Sequence, residues 1–193
     1  MLRTPARLTA SVRPLVKFVI ANVDPQGTDA LALLHEASID AQSLYPELFT
    51  GASQSATNGP LVERGAYVVA YVNDRPLGCG ALRPLDESTA EVRRMYVHRE
   101  HRRQGLARAV LEHLEREATR LGYSRLVLET GYKQLPAMQL YEANGFHRIA
   151  PFGEYVNDPT SVCYERVSRS IGLYSYNKCK PWVTQPLKHL PSA

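Results

Sequence analysis

The sequence predicts a mixed α/β domain, and three observations predict it. Strand-sized apolar runs recur through the chain, stretches with apolar residues at helical spacing separate them, and two of the helical stretches stop at a glycine. The resulting order is strand, helix, three strands, helix, strand, helix, two strands.

Each element has its own signal. VKFVIANV (16–23) reads as a strand, and Thr28-Asp29 supplies a helix N-cap and first turn before Leu31, Leu34, Ala37 and Leu44. Residues 50–60, TGASQSATNGP, form a loop. AYVVAYV (66–72), the turn Asn73-Asp74-Arg75-Pro76 and LGCGALRPL (77–85) make a hairpin. AEVRRMYV (90–97) is a third strand of this group. The helix after Gly105 buries Leu106, Val110, Leu111, Leu114, Ala118 and Leu121, then stops at Gly122. RLVLET (125–130) is a strand, Pro136 opens a helix that Gly145 ends, and FHRIAPF and SVCYERV complete the set within 146–167.

The chain's 193 residues suit one domain with a real core. Residues 1–14 are expected to be a flexible basic arm, 15–167 the domain and 168–193 a poorly ordered tail. No apolar run could span a bilayer, and no secretory signal is present, so a membrane is not an expected partner. Cys79, Cys163 and Cys179 are odd in number and unclustered, which supports neither a disulfide framework nor a zinc site. No metal is expected. The reading is cytoplasmic, with a mitochondrial transit role for 1–14 as the alternative.

The net charge of +4 comes from the two ends. Residues 1–14 and 168–193 carry 7 of the 23 Lys and Arg and none of the 19 Asp and Glu, leaving a body that is formally −3. Nucleic acid is therefore not an expected partner of the folded part. Against that acidic body the stretch VHREHRRQGLARAVLEHLE (97–115) stands out. A helix N-terminus leaves backbone N–H groups without acceptors, and here no Ser, Thr, Asp or Asn precedes it. With Gly105 permitting close approach and arginines beside it, the loop suits a phosphate or pyrophosphate; a solvated basic loop is the plainer alternative. GxxxxGK[ST] and GxGxxG are absent, so other phosphate loops are excluded.

Arg102-x-x-Gly105-x-Ala107 resembles the [RQ]-x-x-G-x-[GA] acyl-CoA signature of the GNAT superfamily of N-acetyltransferases. Its LYxxxGF element is present as Leu140-Tyr141-Glu142-Ala143-Asn144-Gly145-Phe146, at the spacing typical of that superfamily. Many members hold CoA with an asparagine seven residues before that tyrosine; Gln134 stands there instead. The resemblance implies a GNAT fold: a central, mostly antiparallel sheet flanked by helices, with strands 90–97 and 125–130 parallel and splayed apart. Acetyl-CoA as co-substrate would lie in the gap. Its binding residues would be Met95, Tyr96 and Val97 on the strand, Arg102, Arg103, Gln104, Gly105, Leu106, Ala107 and Arg108 in the loop, and Gln134.

Transfer of an acetyl group to an amine needs a base for the ammonium, donors for the oxyanion and an acid for the departing thiolate. The resemblance assigns the base to Glu91 and the acid to Tyr141. Glu91 read alone could be a surface acid, and Tyr141 a core tyrosine. Glu129 is a candidate to bind the acceptor amine or share the proton work, or else to pair with an arginine. Successive strand residues face opposite sides, so at most one of Arg93 and Arg94 is expected in the cleft, where it would favour a carboxylate on the acceptor. Arg93 is the candidate taken; structural ion pairing is the alternative. Cys79 and Cys163 are read as core residues.

The reading is an acyl-CoA-dependent N-acetyltransferase acting on a small-molecule primary amine. A peptide or protein acetyltransferase and a silent CoA-binding regulator are the alternatives. A homodimer is left open.

Overall fold

The computed structural model describes residues 17–49 and 57–167. The expected arm at 1–14, the tail at 168–193 and part of the 50–60 loop lie outside the described residues.

The elements are β1 (Val19–Asn22), α1 (Thr28–Leu44), β2 (Ala66–Val72), β3 (Arg75–Pro84), β4 (Thr89–Val97), α2 (Leu106–Arg120), β5 (Arg125–Gly131), α3 (Leu135–Ala143), β6 (His147–Ile149) and β7 (Ser161–Val167). Among the described residues seven strands form one sheet in the order β1-β2-β3-β4-β5-β7-β6. Every neighbouring pair is antiparallel except β4 and β5, which are joined through α2 and run parallel. Asn73 and Asp74 turn the β2–β3 hairpin alone, both with positive φ, so Arg75 and Pro76 belong to the strand rather than to the turn.

Helices cover both faces, which is why β2 reads as an unbroken apolar run. On one face α2 sets Leu106, Val110, Leu111 and Leu114 against Val68, Leu82, Val92 and Leu128, in a core that also takes Tyr141, Phe146 and Tyr164. Each of those four aliphatic side chains contributes roughly 1.5–3 kcal/mol of burial. A missing N-cap costs about 1 kcal/mol. Packing therefore holds α2 in place without one. On the other face α1 lays Ala30 and Leu33 over Tyr67, Val69 and Cys79.

Helix α1 departs from expectation at its start. Gly27, not Thr28, is the N-cap residue, and Asp29 accepts a 2.8 Å hydrogen bond from the Tyr71 hydroxyl, tying the first turn to β2. Strand β6 is shorter than FHRIAPF, because the chain leaves the sheet at Ala150 and forms a single turn at Gly153–Tyr155 over the α1 face.

Candidate acyl-transfer site

The parallel pairing of β4 with β5 ends at Val92 and Leu128. Beyond that point β4 continues beside β3 as far as Val97, and β5 beside β7 as far as Gly131. The strands part there. The amide of His98 donates to the carbonyl of Leu77 at 2.9 Å, which makes Val97 and Gly78 a non-hydrogen-bonded pair. The N–H and C=O of Val97 consequently turn away from β3, toward the opening.

A bulge sits at the fork. Cys79 pairs with Tyr96 and Ala81 with Arg93, so Gly80 alone opposes Arg94 and Met95. Arg94 takes φ 58°, a left-handed conformation uncommon outside glycine. Gly80 makes the bulge affordable: a Cβ there would meet Leu114 Cδ1 at 2.7 Å, Met95 Sδ at 2.9 Å and Val110 Cγ1 at 2.9 Å.

The bulge overturns the expectation that Arg93 and Arg94 point to opposite sides. Arg93 lies opposite Ala81 on the α1 face, 3.3 Å from Glu154 and 3.8 Å from Glu91. Arg94 reaches the same face, donating from Nη2 to the carbonyl of Thr57 at 2.9 Å. Met95 and Val97 instead join the α2 core.

A cleft of about 160 Å³ occupies the fork, lined by Val92, Arg93, Arg94, Met95, Glu129, Thr130, Gln134 and Tyr141. Tyr141 is 4% exposed, and its hydroxyl has no hydrogen-bond partner among the described residues. Burial, with the Glu129 charge behind it, raises its pKa, so the phenol holds its proton at neutral pH. Glu129 accepts from the Ser161 hydroxyl at 2.8 Å. Burial also raises the Glu129 carboxyl above the usual range, and the charges of Asp158 and Glu91 add to the shift.

Glu91 is placed differently from the expected base. It is 0% exposed and does not line the cleft. Its Oε1 accepts the Tyr155 hydroxyl at 2.6 Å and its Oε2 accepts Arg83 Nε at 2.8 Å. Both oxygens are thus engaged by protein donors. Arg83 and Arg93 share Glu154 as well, so Arg93 works in an ion-pair network as well as lining the cleft. A larger cavity of about 330 Å³ lies on the same face beneath Phe152 and Tyr155, with Thr89, Arg125 and Val127 in its walls. It contains neither Glu129 nor Tyr141; the smaller cleft has both.

The basic loop leads into α2 on the other side of the fork. Gly105 is the N-cap at φ 86°, with no side-chain cap. The amides of Arg103, Gln104, Gly105, Leu106, Ala107 and Arg108 donate to no protein acceptor among the described residues. A Cβ added at Gly105 would meet nothing within 4 Å, so the glycine itself borders open space. The side chains contribute less than the sequence suggests. Arg99 and Arg102 both engage Asp40 of α1, and Arg102 Nε also donates to the outward-facing carbonyl of Val97 at 2.9 Å. Although burial pushes the other way, hydrogen bonds from those two arginines hold the Asp40 carboxyl below its usual range. Arg108 pairs with Glu112 at 2.8 Å. The tenant of this loop would be bound chiefly by backbone amides at a helix N-terminus, an arrangement suited to phosphate. Gln134 occupies the N-cap position of α3, makes no side-chain cap hydrogen bond and lines the cleft.

Cys79 is buried beside the fork, its Sγ donating to the carbonyl of Arg94 at 3.2 Å. Burial pushes its thiol up to about 11, so a thiolate nucleophile is scarce at neutral pH.

Residues 31–146 match the acetyltransferase (GNAT) family. YsnE of Bacillus subtilis, named as an uncharacterised N-acetyltransferase, is 44% identical over 95 residues, 48% of this chain and 63% of its own length. IAA acetyltransferase of Azospirillum brasilense is 38% identical over 101 residues, covering 52% of this chain and 66% of its own. The matched stretches therefore span less than two thirds of these relatives. A protein from Klebsiella pneumoniae, solved as a candidate acyl-CoA N-acyltransferase, superposes with a TM-score of 0.64 at 28% identity, over 79% of this chain and 98% of its own.

Proposed function

Since the chain belongs to the GNAT acetyltransferase family, we propose that it moves an acetyl group from acetyl-CoA to the primary amine of a small molecule by direct transfer. The observation that carries this reading is the run of six amides, Arg103 to Arg108, without protein acceptors among the described residues, leading into α2 beside a cleft that holds Glu129 and Tyr141.

In this reading the amides of Arg103–Arg108 bind the diphosphate of CoA, and the free edge of β4 from Met95 through Tyr96 to Val97 aligns the pantetheine as a strand would. The Val97 N–H turns toward the fork and is a fixed donor for the charge that develops on the thioester oxygen. Glu129 takes the proton from the arriving ammonium; burial has already made it a stronger base than an ordinary carboxylate. Tyr141 holds its own proton and gives it to the departing thiolate. Glu91 fixes Tyr155 and Arg83, and through them the wall of the acceptor side. Gln134 stands where its amide can meet the pantetheine arm. The small volume of the cleft supports a small acceptor over a protein lysine.

The test is thiol release from acetyl-CoA across a panel of amines, with the product identified by mass. Turnover on small amines that falls in Glu129→Gln and Tyr141→Phe supports the reading. Saturable CoA binding with no thiol release on any amine turns it into a CoA-binding regulator instead.

A further inference from the structure

We infer that the acceptor carries a carboxylate beside its amine, and that Arg94 is the residue that reads it. The inference rests on the acetyltransferase reading above and names the substrate class of the same cleft. Free amino acids are the simplest members of that class.

Three observations converge on Arg94. It lines the cleft together with Glu129 and Tyr141, and its side chain runs along the α1 face to Thr57. The bulge puts it there: without the extra residue, strict alternation would send the residue after Arg93 into the α2 core. Its charge is also unbalanced. The other cleft arginine, Arg93, has Glu154 at 3.3 Å and Glu91 at 3.8 Å, whereas among the described residues Arg94 donates only to the neutral carbonyl of Thr57. All 19 Asp and Glu of the chain fall within the described residues, and none of them forms an ion pair with Arg94.

A half-buried guanidinium without a carboxylate is costly unless a ligand supplies one. It has five N–H donors in a planar fork, and one is used on Thr57. Bidentate pairing with a carboxylate suits the remainder. An acceptor held by its carboxylate at Arg94 presents its amine within the same small cleft as Glu129, so the two ends of one molecule meet groups of opposite charge. The reverse orientation sets a carboxylate against Glu129 and an ammonium against Arg94, and both contacts are repulsive.

The experiment uses the full chain with acetyl-CoA and the standard amino acids, each beside its carboxamide and its decarboxylated amine. The wild-type protein is expected to prefer the acid about 10- to 100-fold in kcat/KM, mainly through KM. In Arg94→Gln that preference is expected to collapse toward unity, with partial recovery in Arg94→Lys, which keeps the charge and loses the fork. Equal kcat/KM for acid and carboxamide in the wild-type protein overturns the inference while leaving the acetyltransferase reading intact. Should no amine turn over, calorimetric titration of the same acids and carboxamides into the protein with CoA still decides: tighter binding of the acid, lost in Arg94→Gln, supports the carboxylate site. Equal binding of both, or of neither, overturns it.

Discussion

The Tyr155 hydroxyl donates to Glu91 Oε1 at 2.6 Å, joining the turn between β6 and β7 to the middle of the sheet. Tyr155→Phe leaves a fully buried carboxylate one hydrogen bond short. The expected loss is about 1–2 kcal/mol, read from urea unfolding midpoints at constant slope. Because Tyr155 lies outside the cleft lining, the loss of stability is expected to exceed any loss of kcat.

Glu129→Gln tests the assignment of the base. A general base contributes on the order of 10²–10⁴-fold to rate, so kcat is expected to fall within that range. The wild-type kcat/KM is expected to drop as pH falls through a carboxyl pKa raised above its usual value, and the variant loses that limb. If Glu91→Gln removes the limb and Glu129→Gln does not, the base is Glu91.

The same residue has a stability signature of defined sign. The folded-state pKa of Glu129 is raised, so its contribution is fully present below the unfolded-state value and is lost as pH rises through the folded one. At neutral pH the buried carboxylate is a burden that Gln does not carry. Glu129→Gln is therefore expected to be more stable than wild type at pH 7, with the gap closing toward pH 4. Thermal melts across that range measure it.

Tyr141→Phe separates chemistry from packing. The ring sits 5.9 Å from Phe146 and 6.1 Å from Tyr164 between centroids, and Phe keeps both contacts. The hydroxyl has no partner among the described residues, so stability is expected to change by less than about 1 kcal/mol. Loss of the acid is expected to lower kcat by roughly 10²-fold with little change in CoA affinity.

Gly105→Ala separates the loop's role in binding from its role in folding. The new Cβ meets no protein atom, so the cost to folding is the left-handed backbone alone, about 1 kcal/mol. In the proposed reading it stands in open space where the diphosphate approaches the loop, and the Kd for CoA is expected to rise at least about tenfold by calorimetry, beyond what that strain explains. Gly80→Ala is the contrast: its Cβ would strike Leu114, Met95 and Val110, so folding suffers by about 1–3 kcal/mol.

Much of this was legible in the sequence, and what was not has a physical reason. Period and punctuation gave the strands, the hairpin and the uncapped α2, because those signals are local. The resemblance supplied the parting of β4 from β5. The bulge is legible only as a phase slip, apolar Val92 and Met95 standing three apart across the Arg93-Arg94 doublet, and because Arg94 is not a glycine no local signal marks its left-handed backbone. Nor could spacing show that Arg102 folds back on Asp40 and Val97, or that Tyr155 closes over Glu91 from 64 residues away. Those contacts are tertiary, and they decide which charged groups remain available to a ligand.

The extra residue at Arg94 splices two half-strands of opposite phase into one. Upstream of it, Glu91, Arg93 and Arg94 face α1; downstream, Met95 and Val97 are seated against α2. In the proposed reading, side chains that meet an acceptor and side chains that seat the donor-binding edge of β4 thus lie on opposite faces of one strand.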